Sequence, residues 1–169
     1  MKFIFFIFFL FSFNFIQGQP KTELTLDGFT HVTFSMPVIS GEKFIELTKH
    51  WAVSFNKNNE GGETTEISGN SVTVHAYRKN AFFYRNKGET FYYKIGYSIR
   101  FDFSENDYTA SFVVKDIYTD RDVLIQSTLN DYYTSEGIVK EGFEDVKISI
   151  ETTVNKILQS HYNFIINYK

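Results

Sequence analysis

The sequence predicts an α+β fold: a curved antiparallel β-sheet with two helices packed on one face. Three observations carry this. Residues 91–103 (FYYKIGYSIRFDF) alternate apolar and polar without a break, and residues 108–114 alternate again after a four-residue turn. Two apolar stripes at helical spacing stand near the two ends of the chain. The order of the pieces is strand, helix, four strands, helix, which a two-layer sandwich accommodates.

The first 18 residues stand apart from that fold. Lys2 precedes a nearly unbroken apolar run over residues 3–16, and Gly18 follows just before Gln19 and Pro20. This is the order of a secretory signal peptide. The run is shorter than the ~18–20 residues that cross a bilayer, and Ser12 and Asn14 interrupt it. Cleavage is expected near Gly18, leaving Gln19 first, with Ile16 at minus three only half meeting the small-residue rule. The expected organisation is a signal peptide at 1–18, an exposed lead at 19–28 and one domain at 29–169, periplasmic or extracellular, with no membrane span in the mature protein.

Each later element has its own signal. In residues 29–36 (FTHVTFSM), Val32, Phe34 and Met36 alternate with His31, Thr33 and Ser35, a strand that Pro37 stops. Ser40 can cap a helix over 41–55, in which Phe44, Leu47, Trp51 and Phe55 follow three- and four-residue steps. Residues 56–63 (NKNNEGGE) are turn formers. Residues 64–79 are rich in Thr and Val, with a turn at Gly69 and Asn70, and residues 81–86 (AFFYRN) make a shorter third run. The 91–103 and 108–114 runs predict a hairpin about residues 104–107. Residues 118–142 are polar and irregular, either hiding a short element within VLIQSTL (123–129) or forming a functional loop. From Glu144, Val146, Ile150, Val154, Ile157, His161 and Ile165 mark a long closing helix. VKISI (146–150) also alternates like a strand, but the stripe runs on for more than four turns. No internal repeat is present.

Composition narrows the function. The chain has no cysteine, which excludes disulfide staples and a cysteine-linked lipid anchor, so packing must hold the domain. Aromatic residues, 19% of the chain, supply that packing. After loss of Lys2 with the signal, 16 basic residues face 20 acidic ones, a net charge of −4. An acidic surface does not suit a phosphate backbone, so nucleic acid is not an expected partner.

The exported start, the Trp-bearing helix (EKFIELTKHWAVSF), the paired strands YYKIGYSIRFDF and YTASFVVKDI, and the terminal SIETTVNKILQSHYNFI together resemble the bacterial family catalogued as domain of unknown function 4468. The resemblance spans nearly all of the mature chain, and what matches is hydrophobic pattern. It implies a TATA-binding-protein-like fold; the order of elements also fits the helix-grip layout, a sheet wrapped around a long C-terminal helix, as the alternative. It implies no activity and no catalytic residues.

Candidate chemistry is sparse. His31, His50, His75 and His161 share no metal-binding spacing, so no metal site and no cofactor are expected. Asp116, Asp120 and Asp122 lack the calcium-loop pattern. No nucleophile elbow, phosphate loop or dinucleotide fingerprint occurs, so no catalytic residue is assigned. Trp51 and Tyr92 are the aromatic candidates for stacking on a ligand. Trp51 also reads as core from its place on the helix stripe, whereas Tyr92 lies on the wet face of its strand. The expected function is a noncatalytic binding or interaction domain, whose partner would be a small apolar ligand or another exported protein. The alternatives are a carrier with a cavity between sheet and helix, and a hydrolytic enzyme without a recognisable motif.

Overall fold

The computed structural model describes residues 19–57 and 63–168. Residues 1–18, expected to be a signal peptide, and most of the 56–63 connection lie outside the described residues. A two-stranded hairpin, β1 (Leu24–Thr25) and β2 (Gly28–Phe29), leads into β3 (Val32–Ser35) and α1 (Gly41–Asn56). Four long strands follow: β4 (Glu63–Ser68), β5 (Ser71–Asn86), β6 (Glu89–Phe103) and β7 (Asp107–Thr119). After these come the short β8 (Leu124–Ile125), a 3-10 turn (Leu129–Tyr132) and α2 (Glu144–Ile166). The six-stranded sheet has the order β3-β7-β6-β5-β4, with β8 also on β7, and every pairing is antiparallel. It is an open sheet, not a closed barrel.

Local chemistry starts α1 where expected. The Ser40 hydroxyl accepts from the Lys43 N–H (3.2 Å), and Glu42 lies in the first turn. A Cβ at Gly41 would stand 2.8 Å from Cε2 of Phe103, so any larger residue there has to displace that ring. In α2, Val146 and Ile150 are buried while Ile148 is 63% exposed. The helix therefore wins over the strand reading of VKISI at the cost of one wet isoleucine, because the stripe continues through Val154, Ile157, His161 and Ile165.

Both helices pack on one face of the sheet. Tyr97 of β6 donates to Oδ1 of Asn56 in α1 (3.2 Å), and Tyr108 of β7 meets Nδ1 of His161 in α2 (3.1 Å). The layer between is filled with rings. Phe101 stacks on His161 at 3.9 Å, and Trp51, Phe44 and Tyr108 meet the same imidazole edge-on.

Two irregularities keep long strands in phase with this core. In β5, residues 79–81 stand opposite Lys94 alone, and Asn80 takes a positive φ of 50°. In β7, an extra residue at Lys115 switches the core-facing set from Tyr108, Ala110 and Phe112 to Ile117.

Three expectations need correction. The lead is not wholly exposed: Thr22 and Leu24 are buried, because this segment lies against α2. There the Asn155 amide pairs with both the N–H and the C=O of Thr22 (2.9 Å each), and Glu151 accepts from the Leu24 N–H. The 81–86 run is not a separate strand but the continuation of β5, and the 29–36 strand is split between β2 and β3. Of the two readings of residues 118–142, the hidden short element is the one found: β8 lies within VLIQSTL, and the region buries Leu129 and Tyr133.

Candidate functional site

The face of the sheet opposite the helices carries the outward residues of each strand, and its centre is a hollow over Gly96. A Cβ at Gly96 would stand 3.2 Å from Cε1 of Tyr77 and 3.3 Å from Oδ2 of Asp116, so a glycine lets both side chains close over the strand. The hollow has a volume of about 280 Å³ and is rimmed by Glu63, Thr64, His75, Lys115 and Asp116. His75 turns Nε2 inward, 3.6 Å from Oε1 of Glu66, where that nitrogen has no hydrogen-bond partner among the described residues.

Beside the hollow, Lys94 lies over two rings, 5.3 Å from the centroid of Tyr77 and 5.1 Å from that of Tyr118, and it ion-pairs with Asp122. That hydrogen bond holds the Asp122 carboxyl below the usual carboxylate range. Desolvation, reinforced by Asp116 and Tyr77, pushes the Tyr118 phenol up. The arrangement is a cation between aromatic faces with carboxylates at its edge. It can stack and hydrogen-bond a partner.

Tyr92 lies on this same face, 49% exposed, at the far end of β6. Its ring stands 6.0 Å from that of Phe83, over which the Arg85 guanidinium sits at 4.8 Å. At the opposite end, Arg100 makes a two-bond contact with Asp102 (2.9 and 3.0 Å) and reaches Ser71 (2.9 Å), which depresses the Asp102 carboxyl.

Trp51, weighed as a stacking ring, is core. It is 2% exposed, its indole N–H donates to Oγ of Ser160 (3.1 Å), and it stacks on Phe55 at 5.3 Å. A ligand would have to displace α2 to reach it.

The structure does not bring the four histidines together. His161 is in the core, His75 rims the hollow, His50 is exposed on α1, and the Nδ1 of His31 meets Oγ of Ser111 at 2.6 Å. No group of three or more His, Asp or Glu side chains converges as a metal site among the described residues. The His31–Ser111 pair has the contact of a base with a nucleophile. It lies on the exposed sheet, and no carboxylate hydrogen-bonds the imidazole among the described residues, so the orienting third group of a hydrolase is not in place. Asp116 rims the hollow and Asp122 pairs with Lys94, while Asp120 is an exposed residue beyond the end of β7.

The Tyr77–Lys94–Tyr118 set was not legible in the sequence, since its members come from three strands whose register is shifted by two bulges. Gly96 in mid-strand was the one available signal.

No family model and no curated protein matches the chain. Two solved structures are similar in fold. A TBP-like protein from Parabacteroides distasonis superposes with a TM-score of 0.57 at 13% identity, over 83% of this chain and 93% of that one. A DUF4468 family protein from Bacteroides ovatus superposes with a TM-score of 0.50 at 9% identity, over 78% of each chain. The TBP-like α+β fold expected from the sequence is thus the fold of this chain, and its structural neighbours include a member of the family it resembles.

Proposed function

We propose that this protein is an exported, noncatalytic binding or interaction domain that meets its partner with the helix-free face of its sheet. The observation that carries the reading is the aromatic and cationic set on that face: Tyr77, Lys94 and Tyr118 beside the Gly96 hollow, with Tyr92, Phe83 and Arg85 at one end. Aromatic rings and Arg are the side chains that anchor protein interfaces. A shared fold does not transfer a function, so DNA binding is not inferred from the TBP-like architecture. The net charge, −3 for the full chain and −4 once residues 1–18 are removed, also argues against it. The carrier reading draws no support from the sheet–helix layer, whose space is taken up by Trp51, Phe44, Phe101, Tyr108 and His161.

Export rests on the residue 1–18 pattern, and no helix among the described residues is long and apolar enough to cross a membrane. N-terminal sequencing of protein from the exported fraction is expected to begin at Gln19. A photo-crosslinking aromatic amino acid placed at Tyr92 is expected to capture a discrete partner in cells. The same group at Ile148, exposed on the opposite side, is the control. Equal capture at both positions would remove the support for the sheet face.

A further inference from the structure

We infer that the outer edge of β7 is a strand-addition site for an extended peptide. This goes beyond the sheet-face reading and stands on different groups, the main chain of one strand. β7 has β6 along one edge for its whole length. Its other edge is shared: β3 pairs with residues 107–110 and β8 with residues 117–118, which leaves 111–116 without a hydrogen-bonded strand, β2 and the residues just after it standing nearest, with Phe29 against Phe112 and His31 against Ser111.

The direction of the free groups follows from two bonds at the start of β7. The Met36 N–H donates to the carbonyl of Asn106 on the β3 side, and the Ser104 N–H donates to the carbonyl of Asp107 on the β6 side (2.8 Å each). Main-chain groups of successive residues point to opposite edges. The N–H and C=O of Phe112 and Val114 therefore face out of the gap, where no main-chain partner meets them among the described residues. Unpaired edge groups of this kind are templates for another strand.

The gap has room and walls. A cavity of about 310 Å³ lies along it, bounded by Gly28 and Phe29 on one side and by residues 127–130 on the other. An added strand antiparallel to β7 runs in the same sense as β3 and β8 on either side of the gap. Its inward side chain meets Phe112, Phe29 and Leu129, the first two already in edge-to-face contact at 5.4 Å. Its outward side chain lies by Val113, which is 47% exposed. Lys115 is exposed and has no carboxylate partner among the described residues, so an acidic residue suits the N-terminal end of the peptide. The occupant is an extended segment with apolar residues at alternate, inward positions and an acid preceding them. Backbone pairing gives such sites their affinity and alternate side chains their selectivity.

The test uses residues 19–169 labelled with nitrogen-15 and the capped peptide acetyl-Glu-Val-Thr-Val-Thr-amide. Amide shifts are expected to centre on residues 111–116, with hydrogen exchange at Phe112 and Val114 slowed roughly tenfold on saturation. The same peptide N-methylated at alternate amides is expected to lose the effect, and Val114→Pro, which removes one outward N–H at an edge where proline is tolerated, is expected to abolish it. Shifts confined to the Tyr92 or Gly96 region, or equal binding of the N-methylated peptide, would overturn strand addition and leave the sheet face as the binding surface. Protection of the same amides by self-association, without peptide, would overturn the peptide as occupant in favour of a second copy.

Discussion

His161 is fully buried, between Thr48 (3.1 Å to Nε2) and Tyr108 (3.1 Å to Nδ1), and stacked on Phe101. Burial lowers its pKa to about 3, so the folded protein keeps it neutral, whereas the unfolded chain protonates it below the ordinary value near 6.5. The unfolded state then binds the extra proton, and the stability this residue contributes is lost as pH falls from 6.5 to about 3. The slope within that window is up to ~1.4 kcal/mol per pH unit. His161→Gln is expected to lower stability at pH 8 by about 1–3 kcal/mol through its disturbed hydrogen bonds. Urea unfolding at pH 8 and pH 4 checks this: the gap to wild type should narrow at pH 4, and a constant gap would show that the imidazole does not titrate as argued. Burial also raises the phenols of Tyr97 and Tyr108, and it pushes Tyr133 up to about 12. In each of these residues a ring fills the core while its hydroxyl hydrogen-bonds to a distant segment, Asn56, His161 and the Leu24 carbonyl respectively.

At the scale of elements, the N-terminal segment behaves as a strap. Thr22 and Leu24 are held to α2 by Asn155 and Glu151, and the Tyr133 hydroxyl donates to the Leu24 carbonyl (2.9 Å). Asn155→Leu removes both amide bonds to Thr22, at a cost of about 1–3 kcal/mol. Limited proteolysis is expected to cut between residues 19 and 24 faster than in wild type, with a Tm lower by ~2–4 °C per kcal/mol lost. Unchanged cleavage would show that the strap is held by Leu24 packing instead. The helix stripes and the main hairpin were legible because their periods are local properties of consecutive residues. The strap was not, because its partners lie more than 100 residues away and the alternation of Leu24 and Leu26 is too short to mark a strand by itself. The continuation of β5 through AFFYRN was hidden for a related reason: the bulge at 79–81 interrupts the alternation that would have joined the two runs.

Across the whole molecule, one continuous core runs from Leu24 to Ile165, with no cysteine to staple it. Thermal unfolding of residues 19–169 is expected to be a single cooperative transition, with the slowest-exchanging amides in the centres of β5, β6 and β7 and in α2. A separate early transition assigned to residues 123–143 would show that this region, despite buried Leu129 and Tyr133, folds as its own unit. The sequence by itself determined the α+β class, both helices, the hairpin of β6 and β7 and the placing of Trp51 on a packed stripe, all consequences of hydrophobic period. It also pointed to Tyr92 as outward-facing, because alternation fixes the side of a strand. Only the tertiary structure decided that Tyr77, Lys94 and Tyr118 meet over Gly96, that His161 is sealed among rings, and that β3 and β8 share one edge of β7 with a gap between them. Each of those depends on cross-strand register or on contacts between distant segments, and a single extra residue such as Lys115 reverses which side chains meet.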